Sequence, residues 1–289
     1  MLKNFLDVTI TGLVMGGIYA LAAVGLNLQY GVVRVLNMAY GELLMIGGFI
    51  GFWMFTLFDI NPILSLLICI PALYVIGWAV HYLVFHPIRL KSRTIGDFEG
   101  YSILASYGLI FILQSAAVLW WGGRIKAYSF LAVPVVIFGA TFEANRLVAF
   151  VASLILSLVF YVLLRVTRLG KAVRAIAQDA EVSELMGINV DSLYGHTFAV
   201  GAVLSGMAGV ILSTMFPVSA TMGFQYTVIA IIVIVLGGLG NVLGSLIGGL
   251  LLGVIGGVVL FLQPGLVIVA FYFMFLAILL VKPTGLLGR

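Results

Sequence analysis

The stretch TRLGKAVRAIAQDAEVSELMGINVDS, residues 167–192, is the one long polar segment in the second half of an otherwise almost continuously apolar chain. Basic residues occupy its first part and the position just before it: Arg165, Arg168, Lys171 and Arg174. Acidic residues follow: Asp179, Glu181, Glu184 and Asp191. Since apolar runs flank this loop on both sides, the loop decides how the chain is arranged around a membrane.

The composition excludes a soluble globular domain. Of 289 residues, 63% are hydrophobic and 8% are charged, and the mean hydropathy is +1.27. Soluble domains carry about 25% charged residues. Several apolar runs approach the roughly 20 residues that a helix needs to cross a bilayer, whereas a membrane β-barrel shows short segments with a period of two. The sequence therefore predicts an all-α polytopic membrane protein, a single transmembrane domain over residues 1–289.

Breaks in hydrophobicity divide the chain into candidate spans. These are residues 8–28, 37–58, 62–84, 101–121, 146–165, 193–216, 225–238, 242–262 and 265–281. The first is interpreted as a retained span because no small-residue cleavage site follows it. The seventh is short and runs into Gly237 and Gly238, so a re-entrant or broken helix is an alternative there. The prediction is nine crossings, within a range of eight to ten.

The basic residues predict the orientation, because short cytoplasmic loops are enriched in lysine and arginine. Placing residues 167–192 in the cytoplasm puts ten of the fourteen basic residues on that side. The C-terminus then lies inside and, with nine spans, the N-terminus lies outside. The longest external connection is 122–145, whose segment VPVVIFGATF is rich in β-branched residues. It is interpreted as a small hairpin that contacts an extracytoplasmic partner, or as a simple linker.

Glycines recur at four-residue intervals near the C-terminus. They form two adjacent stripes on one predicted helix: Gly240, Gly244 and Gly248, then Gly249, Gly253 and Gly257. Small residues at this spacing allow neighbouring helix backbones to approach closely. We expect packing within the subunit, with a subunit interface or a moving surface as alternatives.

Few residues are available for catalysis. The three histidines, His81, His86 and His196, do not form a metal-ligand motif, so no metal site is predicted. No GxxxxGK[ST] phosphate loop is present, and no basic patch is suited to nucleic acid. Energy for uphill transport would therefore come from an ion gradient or from another subunit. An ion-driven carrier or channel remains the alternative, although the spans contain few ionisable groups.

Glu42 is the only acidic residue well inside an apolar run. Together with Asn37 and Gly41 it lies at a predicted helix start, where free backbone amides favour a carboxylate. Capping or a structural pair with Arg34 is one interpretation. The other is a place for Asn37, Gly41 and Glu42 in a translocation path or gate.

The acidic half of the 167–192 loop predicts a short docking helix. Asp179 is a suitable N-cap for residues 180–186, Glu181 lies in the first turn, and Gly187 is a suitable C′ residue. The helix would expose Val182, Leu185 and Met186 beside acidic side chains, a shape that suits a groove on a soluble partner. Contact with lipid headgroups explains the basic half, Arg168 to Arg174, but anionic lipid would repel the acidic half.

Four segments in order resemble the LivH/LivM type of membrane permease, from bacterial ABC importers for branched-chain amino acids and related small polar substrates. They are residues 16–49 (GGIYALAAVGLNLQYGVVRVLNMAYGELLMIGGF), 167–190, 237–249 (GGLGNVLGSLIGG) and 282–289 (KPTGLLGR). The chain is more similar to the LivH type, because no long polar extension follows its last span. Tyr40 departs from the family, in which many members carry histidine at this position.

The resemblance implies an ABC importer permease fold in the bacterial inner membrane. It implies a second permease of the LivM type, two cytoplasmic ATPases that bind ATP and magnesium, and an extracytoplasmic binding protein. It also implies that residues 167–192 are the coupling loop that engages an ATPase. The coupling residues would be Arg174, Asp179, Glu181, Val182, Glu184, Leu185, Met186 and Gly187. Amino acids, urea, short amides and aromatic acids all remain open as substrates.

Overall fold

The structure is a computed structural model that describes residues 2–137 and 140–288, with side chains described for residues 8–135 and 142–288. The helices are α1 (Leu2–Val33), α2 (Tyr40–Phe58), α3 (Leu66–Val80), α4 (His86–Lys91), α5 (Ile95–Trp121), α6 (Ala144–Val166), α7 (Arg168–Gln178), α8 (Ala180–Leu185), α9 (Val190–Ser213), α10 (Gly223–Gly237), α11 (Val242–Leu262) and α12 (Val267–Val281). A π-helical turn, His81–Phe85, joins α3 to α4.

The predicted polytopic helical fold is confirmed. In the part of the chain that the structure describes, eight helical segments are long and apolar enough to cross a membrane, and α3 and α4 together make one of them, Leu66–Lys91. The shorter apolar helix α10 coincides with the predicted seventh span. Its 15 residues cover only about 22 Å, less than the roughly 30 Å of hydrocarbon. The seventh segment is thus too short to cross alone.

Contacts between the loops show which of them lie at the same end of the helix bundle. At one end Arg89 faces Asp191 across 3.6 Å, and the amide of Leu286 donates to the carbonyl of Leu236. At the other, Lys126 and Val218 exchange two backbone hydrogen bonds. The first end carries the predicted cytoplasmic loops, and its surplus of basic residues marks it as the cytoplasmic end. The predicted grouping of loops agrees with these contacts, while Arg289 lies outside the described residues.

Helix α2 begins deep between its neighbours rather than at the cytoplasmic end. The Tyr40 hydroxyl donates to the carbonyl of Ala22, and the Ser205 hydroxyl donates to the carbonyl of Tyr40. Ala22 lies eleven residues before the end of α1, which is about 16 Å along the helix. The non-helical residues 34–39 therefore return the chain from the cytoplasmic end to about the middle of the bundle.

Helix α10 begins at the same depth from the opposite side. Residues 214–222 leave the outer end of α9 and lead inward to Gly223. The amide of Gly41 donates to the hydroxyl of Thr227 over 2.8 Å, which places the starts of α2 and α10 together. From this point α2 runs outward and α10 runs to the cytoplasmic end. Two units of opposite direction, α1 with α2 and α9 with α10, thus meet at the bundle centre, an arrangement found in transporters with inverted repeats.

Glycines allow the close packing of the central helices. The most buried span is α9, followed by α1. A Cβ on Gly253 would overlap the backbone of Gly16, and one on Gly249 would lie 2.5 Å from the Cα of Ala20, so this stripe lies against α1. Gly244 and Gly248 face α10.

Gly240 corrects the predicted glycine stripe. It precedes α11 in a tight loop with φ of 81°, and a Cβ added to it would lie 4.0 Å from the Cα of Gly31. The prediction that Gly240 begins the helical stripe is wrong, because Asn241 caps α11 after it.

The outer connection contains a small hairpin, one of the two interpretations that the sequence left open. Strands β1 (Pro134–Ile137) and β2 (Ala140–Glu143) pair antiparallel, with Val135 opposite Phe142. The turn that contains Gly139 lies outside the described residues. The hairpin stands at the outer end, beside the start of α6.

Candidate functional site

A carboxylate is buried where α2, α5 and α10 meet. Glu42 is fully buried, and its Oε1 accepts a 2.9 Å hydrogen bond from Nε2 of Gln114 on α5. A Cβ added to Gly223, the first residue of α10, would lie 2.5 Å from Oε2 of Glu42. A larger residue at the start of α10 would therefore require the Glu42 carboxylate to move.

The expected pair between Glu42 and Arg34 is absent from the ion pairs of the described residues, which are Arg89–Asp191 and Arg146–Glu143. Arg34 has φ of 58° and is exposed at the cytoplasmic end. Residues 34–39 then carry the chain away from that end, so Glu42 lies deep in the bundle. The structural pairing of Glu42 and Arg34 is wrong, and Gln114 is the partner instead.

Asn37 and Gly41 shape the start of α2. The buried Asn37 accepts a hydrogen bond at Oδ1 from the amide of Ala39, and its carbonyl accepts from the amide of Tyr40. Such side-chain-to-backbone bonds stabilise a turn before a helix. Gly41 lies directly against the carbonyl of Gly223. The structure thus gathers Asn37, Gly41 and Glu42 at one helix start, with Asn37 bonded locally.

Polar side chains on the outside of the bundle lie next to this junction. Thr221 and Gln225, at the start of α10, are exposed, and Gln114 is half-buried. Lipid-exposed irregular backbone is not tolerated at membrane depth unless protein or water covers it. This surface at 221–225 is therefore suited to a water-filled path or to a neighbouring subunit. The sequence interpretation missed Gln114 and Gln225. The signal that could have identified them is a single glutamine side chain within an apolar run.

Aromatic and methionine side chains close the outer side of the junction. Phe49 of α2 stacks on Trp121 of α5 with ring centroids 4.4 Å apart. Met45 is buried in the same cluster, and Met222 packs against it. Methionine side chains adapt readily to changes in their neighbours. Helices α2 and α5 are thus in contact through the hydrogen bond between Gln114 and Glu42 and, nearer the outer end, through the stacked rings of Phe49 and Trp121.

The outer connection, residues 122–145, makes side-chain contacts with α2 and α9 next to this cluster. The ammonium of Lys126 lies 4.6 Å from the ring centroid of Trp53, which is a cation–π distance. Tyr128 shares a 2.9 Å hydrogen bond with Ser213, and burial raises the pKa of Tyr128 to about 12 while Ser213 lowers it. Tyr128 thus stays neutral across the physiological range.

Helix α8 has well-defined caps. Oδ1 of Asp179 accepts from the amide of Val182 over 3.0 Å. At the other end Gly187 has φ of 85°, and its amide donates to the carbonyl of Glu184. The amide of Ile188 donates to the carbonyl of Ser183. These bonds form a Schellman motif. The predicted helix is present, ending at Leu185 rather than Met186.

Apolar side chains of α8 are exposed at the cytoplasmic end. The exposed fraction is 54% for Val182, 87% for Leu185 and 79% for Met186. Glu181 and Glu184 are exposed beside them. Aliphatic side chains framed by acidic ones form a surface that a soluble partner can cover.

Helix α7 connects α8 to the bundle. Val173 and Ile176 are buried in the cluster that contains Leu28 and Val32 of α1. Arg174 donates to the carbonyl of Arg165, the last basic residue of α6. A displacement of α8 would therefore reach the cytoplasmic end of α1 through α7.

A cavity of about 620 Å³ opens at the cytoplasmic end between α1, α6, α7 and the loop before α11. Its described lining includes Arg34, Arg165 and Arg174 and no acidic side chain. Asn37, Gly41 and Glu42 are not part of that lining. The cavity therefore stops short of the buried junction.

Two of the three histidines are neighbours: the ring centroids of His81 and His86 lie 6.3 Å apart. His81 is buried, while Nδ1 of His196 and the hydroxyl of Tyr74 share a 2.5 Å hydrogen bond. Among the described residues, no group of three or more histidine, cysteine, aspartate or glutamate side chains is arranged to hold a metal ion.

Comparison with known proteins gives a family match over most of the chain. The model of the family described as branched-chain amino acid transport system / permease component matches residues 8–281. The permease protein BraD of a high-affinity branched-chain amino acid transport system from Pseudomonas aeruginosa is 32% identical, over 99% of this chain and 96% of BraD.

Two further relatives are permease proteins named LivH of the same kind of system. The Salmonella typhimurium protein is 30% identical and the Escherichia coli K12 protein 29% identical, each over 99% of this chain and 96% of the relative. A solved structure, PsaBC from Streptococcus pneumoniae in complex with Fab, aligns with 98% of this chain and 97% of its own at 12% identity. Its TM-score of 0.49 is too low to show a shared fold.

Proposed function

Because this chain belongs to the permease family of branched-chain amino acid ABC transporters, we propose that it carries a branched-chain amino acid from a binding protein to the cytoplasm. It is a multi-pass protein of the inner membrane. The observation that carries the proposal is the capped helix α8, whose exposed Val182, Leu185 and Met186 form a docking surface on the cytoplasmic end.

The complete transporter contains four further chains of three kinds. A second permease of the LivM type pairs with this chain, two ATPases bind at the cytoplasmic end, and a solute-binding protein docks at the outer end, where the β1–β2 hairpin stands. ATP and magnesium are bound by the ATPases, and this chain has no ATPase site of its own. Relatives that are permease proteins of such transport systems support this division of labour.

ATPase closure acts on the membrane through α8. Val182, Leu185 and Met186 enter a groove on the ATPase, and Glu181 and Glu184 pair with basic groups at its rim. Asp179 and Gly187 hold the helix ends, while Arg174 ties α7 to α6. Motion of α8 is passed to α1 by the buried contacts of α7. The helices then tilt against one another, and the path opens alternately to each side.

Asn37, Gly41 and Glu42 belong to the translocation path. Support comes from their polarity at the middle of the bundle and from the opposed starts of α2 and α10, since transporters bind substrates at such interrupted helices. In this proposal the stacked rings of Phe49 and Trp121 close the outer side of the path. The cytoplasmic cavity would have to extend beyond its present lining to join the path.

Co-expression with the ATPase, permease and binding-protein genes of its own gene cluster tests the proposal. We expect the ATPases to copurify with this chain, and proteoliposomes to accumulate leucine, isoleucine or valine only with ATP and the binding protein. Calorimetry of the binding protein against amino acids, urea, short amides and aromatic acids identifies the substrate. Uptake by this chain alone under an ion gradient would overturn the proposal.

A further inference from the structure

The starts of two helices face each other at the buried junction. α2 begins at Tyr40 and α10 at Gly223, and neither helix has a side-chain cap. Free amides at a helix start carry a partial positive charge that favours an anion. Glu42 lies in the first turn of α2 and against the first residue of α10. The amides of Tyr40, Gly41 and Glu42 are already bonded, to Asn37, Thr227 and Ala39. The Glu42 carboxylate thus lies at the positive ends of two helix dipoles, and it has no ion pair with a basic side chain among the described residues.

One carboxylate oxygen of Glu42 lacks a well-formed hydrogen bond. Oε1 is bonded to Gln114, whereas Oε2 is buried without a hydrogen bond of normal geometry among the described residues, and the amide of Phe224 is the backbone donor that faces the carboxylate. Leaving a buried acceptor unpaired costs about 1–3 kcal/mol, and more for a charged one. Each such group in a native protein requires an explanation. A ligand that brings N–H donors to Oε2 would satisfy this oxygen.

The neighbouring surface offers a way in. Gln225 and Thr221 are exposed within two residues of Gly223, the start of α10. Gln114, which bonds to Glu42, is half-buried. Most of α5 is exposed, and its contacts with α2 include the bond from Gln114 and the stacked ring of Trp121. A small displacement of α5 would expose Glu42 to this surface without unfolding α2, α9 or α10.

We infer that Glu42 binds the ammonium group of the substrate at a subsite between α2, α5 and the start of α10. This inference rests on the proposed function and narrows its substrate class. An ammonium group brings three donors and a positive charge, and charge-assisted hydrogen bonds are about twice as strong as neutral ones. Amino acids carry such a group, whereas aromatic acids, urea and simple amides lack it. Glu42 therefore selects amino acids over these other candidates.

The test uses the assembled transporter, in which Cys69 is the single natural cysteine of this chain. In a Cys69→Ser background, Gln225→Cys places a thiol on the proposed path, and Ile155→Cys on α6 places one on an exposed apolar face at similar depth. A charged methanethiosulfonate reagent should modify the first and leave the second. Leucine should slow the modification at position 225 at least about fivefold. 4-Methylpentanoate, which is leucine without the ammonium group, should not.

Glu42→Gln in the same background should abolish the protection by leucine, and Glu42→Asp should restore part of it. In the transporter with natural cysteine, Glu42→Gln should reduce leucine uptake at least about tenfold. A purely structural role for Glu42 would not make protection depend on the ammonium group. The inference alone would be overturned if the unmodified protein takes up leucine and Glu42→Gln shows the same uptake and the same protection. The proposed function would then still stand. Failure of the unmodified protein to transport any amino acid would overturn both the inference and the proposed substrate.

Discussion

The amide of Val182 donates a 3.0 Å hydrogen bond to Oδ1 of Asp179 and thereby fixes the first turn of α8. The hydroxyl and the amide of Ser183 both donate to the carbonyl of Asp179, so Asp179 accepts three hydrogen bonds from the start of α8. A helix of six residues has little stability of its own, because nucleation is costly. The docking surface of α8 therefore depends on its caps.

Asp179→Ala should weaken the coupling between ATP hydrolysis and uptake. Loss of an N-cap costs about 0.5–2 kcal/mol, which shifts a short helix toward its frayed state. We expect at least about a threefold loss of uptake per ATP hydrolysed, measured in proteoliposomes. Asp179→Ser, which keeps a capping oxygen, should remain close to the unmodified protein. Equal coupling in the alanine and serine variants would contradict this role.

Leu185→Asp should prevent stable binding of the ATPase. Leu185 is the most exposed apolar side chain of α8, and apolar residues at the centre of an interface cost about 2 kcal/mol or more when lost. We expect at least a tenfold reduction in copurified ATPase, with normal amounts of this chain in the membrane. Leu169→Asp is the matched control, since Leu169 is similarly exposed on α7. A similar loss in both variants would assign the contact to the whole loop rather than to α8.

Much of this architecture could be predicted from the sequence because hydropathy and helix caps are local signals. The span boundaries followed the apolar runs, and Asp179 and Gly187 predicted α8 to within one residue. The second span is different, since Asn37 is a plausible helix start in the sequence, whereas α2 begins only at Tyr40. Its deep start depends on hydrogen bonds from Tyr40 to α1 and from Ser205 on α9, which no local pattern reveals.

The candidate path was predicted only in part. Glu42 was identifiable as a lone acid in an apolar run, but its partner could not be, because Gln114 lies 72 positions along the chain. Proximity in sequence favoured Arg34 instead. The role of Gly223 was equally hidden, since it depends on the position of a carboxylate from another helix.

Gly253→Val should destabilise the bundle by separating α1 from α11. A side chain at this position overlaps the backbone of Gly16, and overpacking costs about 1–3 kcal/mol or more when backbone must move. We expect a melting temperature in detergent lower by several degrees and a reduced yield. Gly108→Val on α5 is the control, because no atom lies within 4 Å of a Cβ placed there. Equal melting of the two variants would show that the glycine stripe is not needed for packing.

Asn27→Leu should loosen the contact between α1 and the loop before α11. The Asn27 side chain accepts at Oδ1 from the amide of Gly240 over 2.6 Å and donates to the carbonyl of Asn241 over 2.9 Å. Its Nδ2 also donates to the hydroxyl of Ser245 over 2.6 Å. Leucine has the same branched shape, although it is larger, and it leaves these groups unpaired. The cost is about 1–3 kcal/mol for a buried group and about 0.6 kcal/mol for an average interhelical bond in a membrane.

The expected result for Asn27→Leu is a melting temperature lower by several degrees. The melting temperature of Asn27→Asp should lie between those of the unmodified protein and Asn27→Leu. Aspartate keeps the oxygen that accepts from the Gly240 amide but lacks the amide donors. Asn61→Leu is the control, since the Asn61 side chain bonds only to the nearby amide of Ile63 at the outer end. The contrary result is that the melting temperatures of Asn27→Leu and Asn61→Leu both lie within about one degree of that of the unmodified protein. That result would show that glycine packing between α1 and α11 holds this loop without the hydrogen bonds of Asn27.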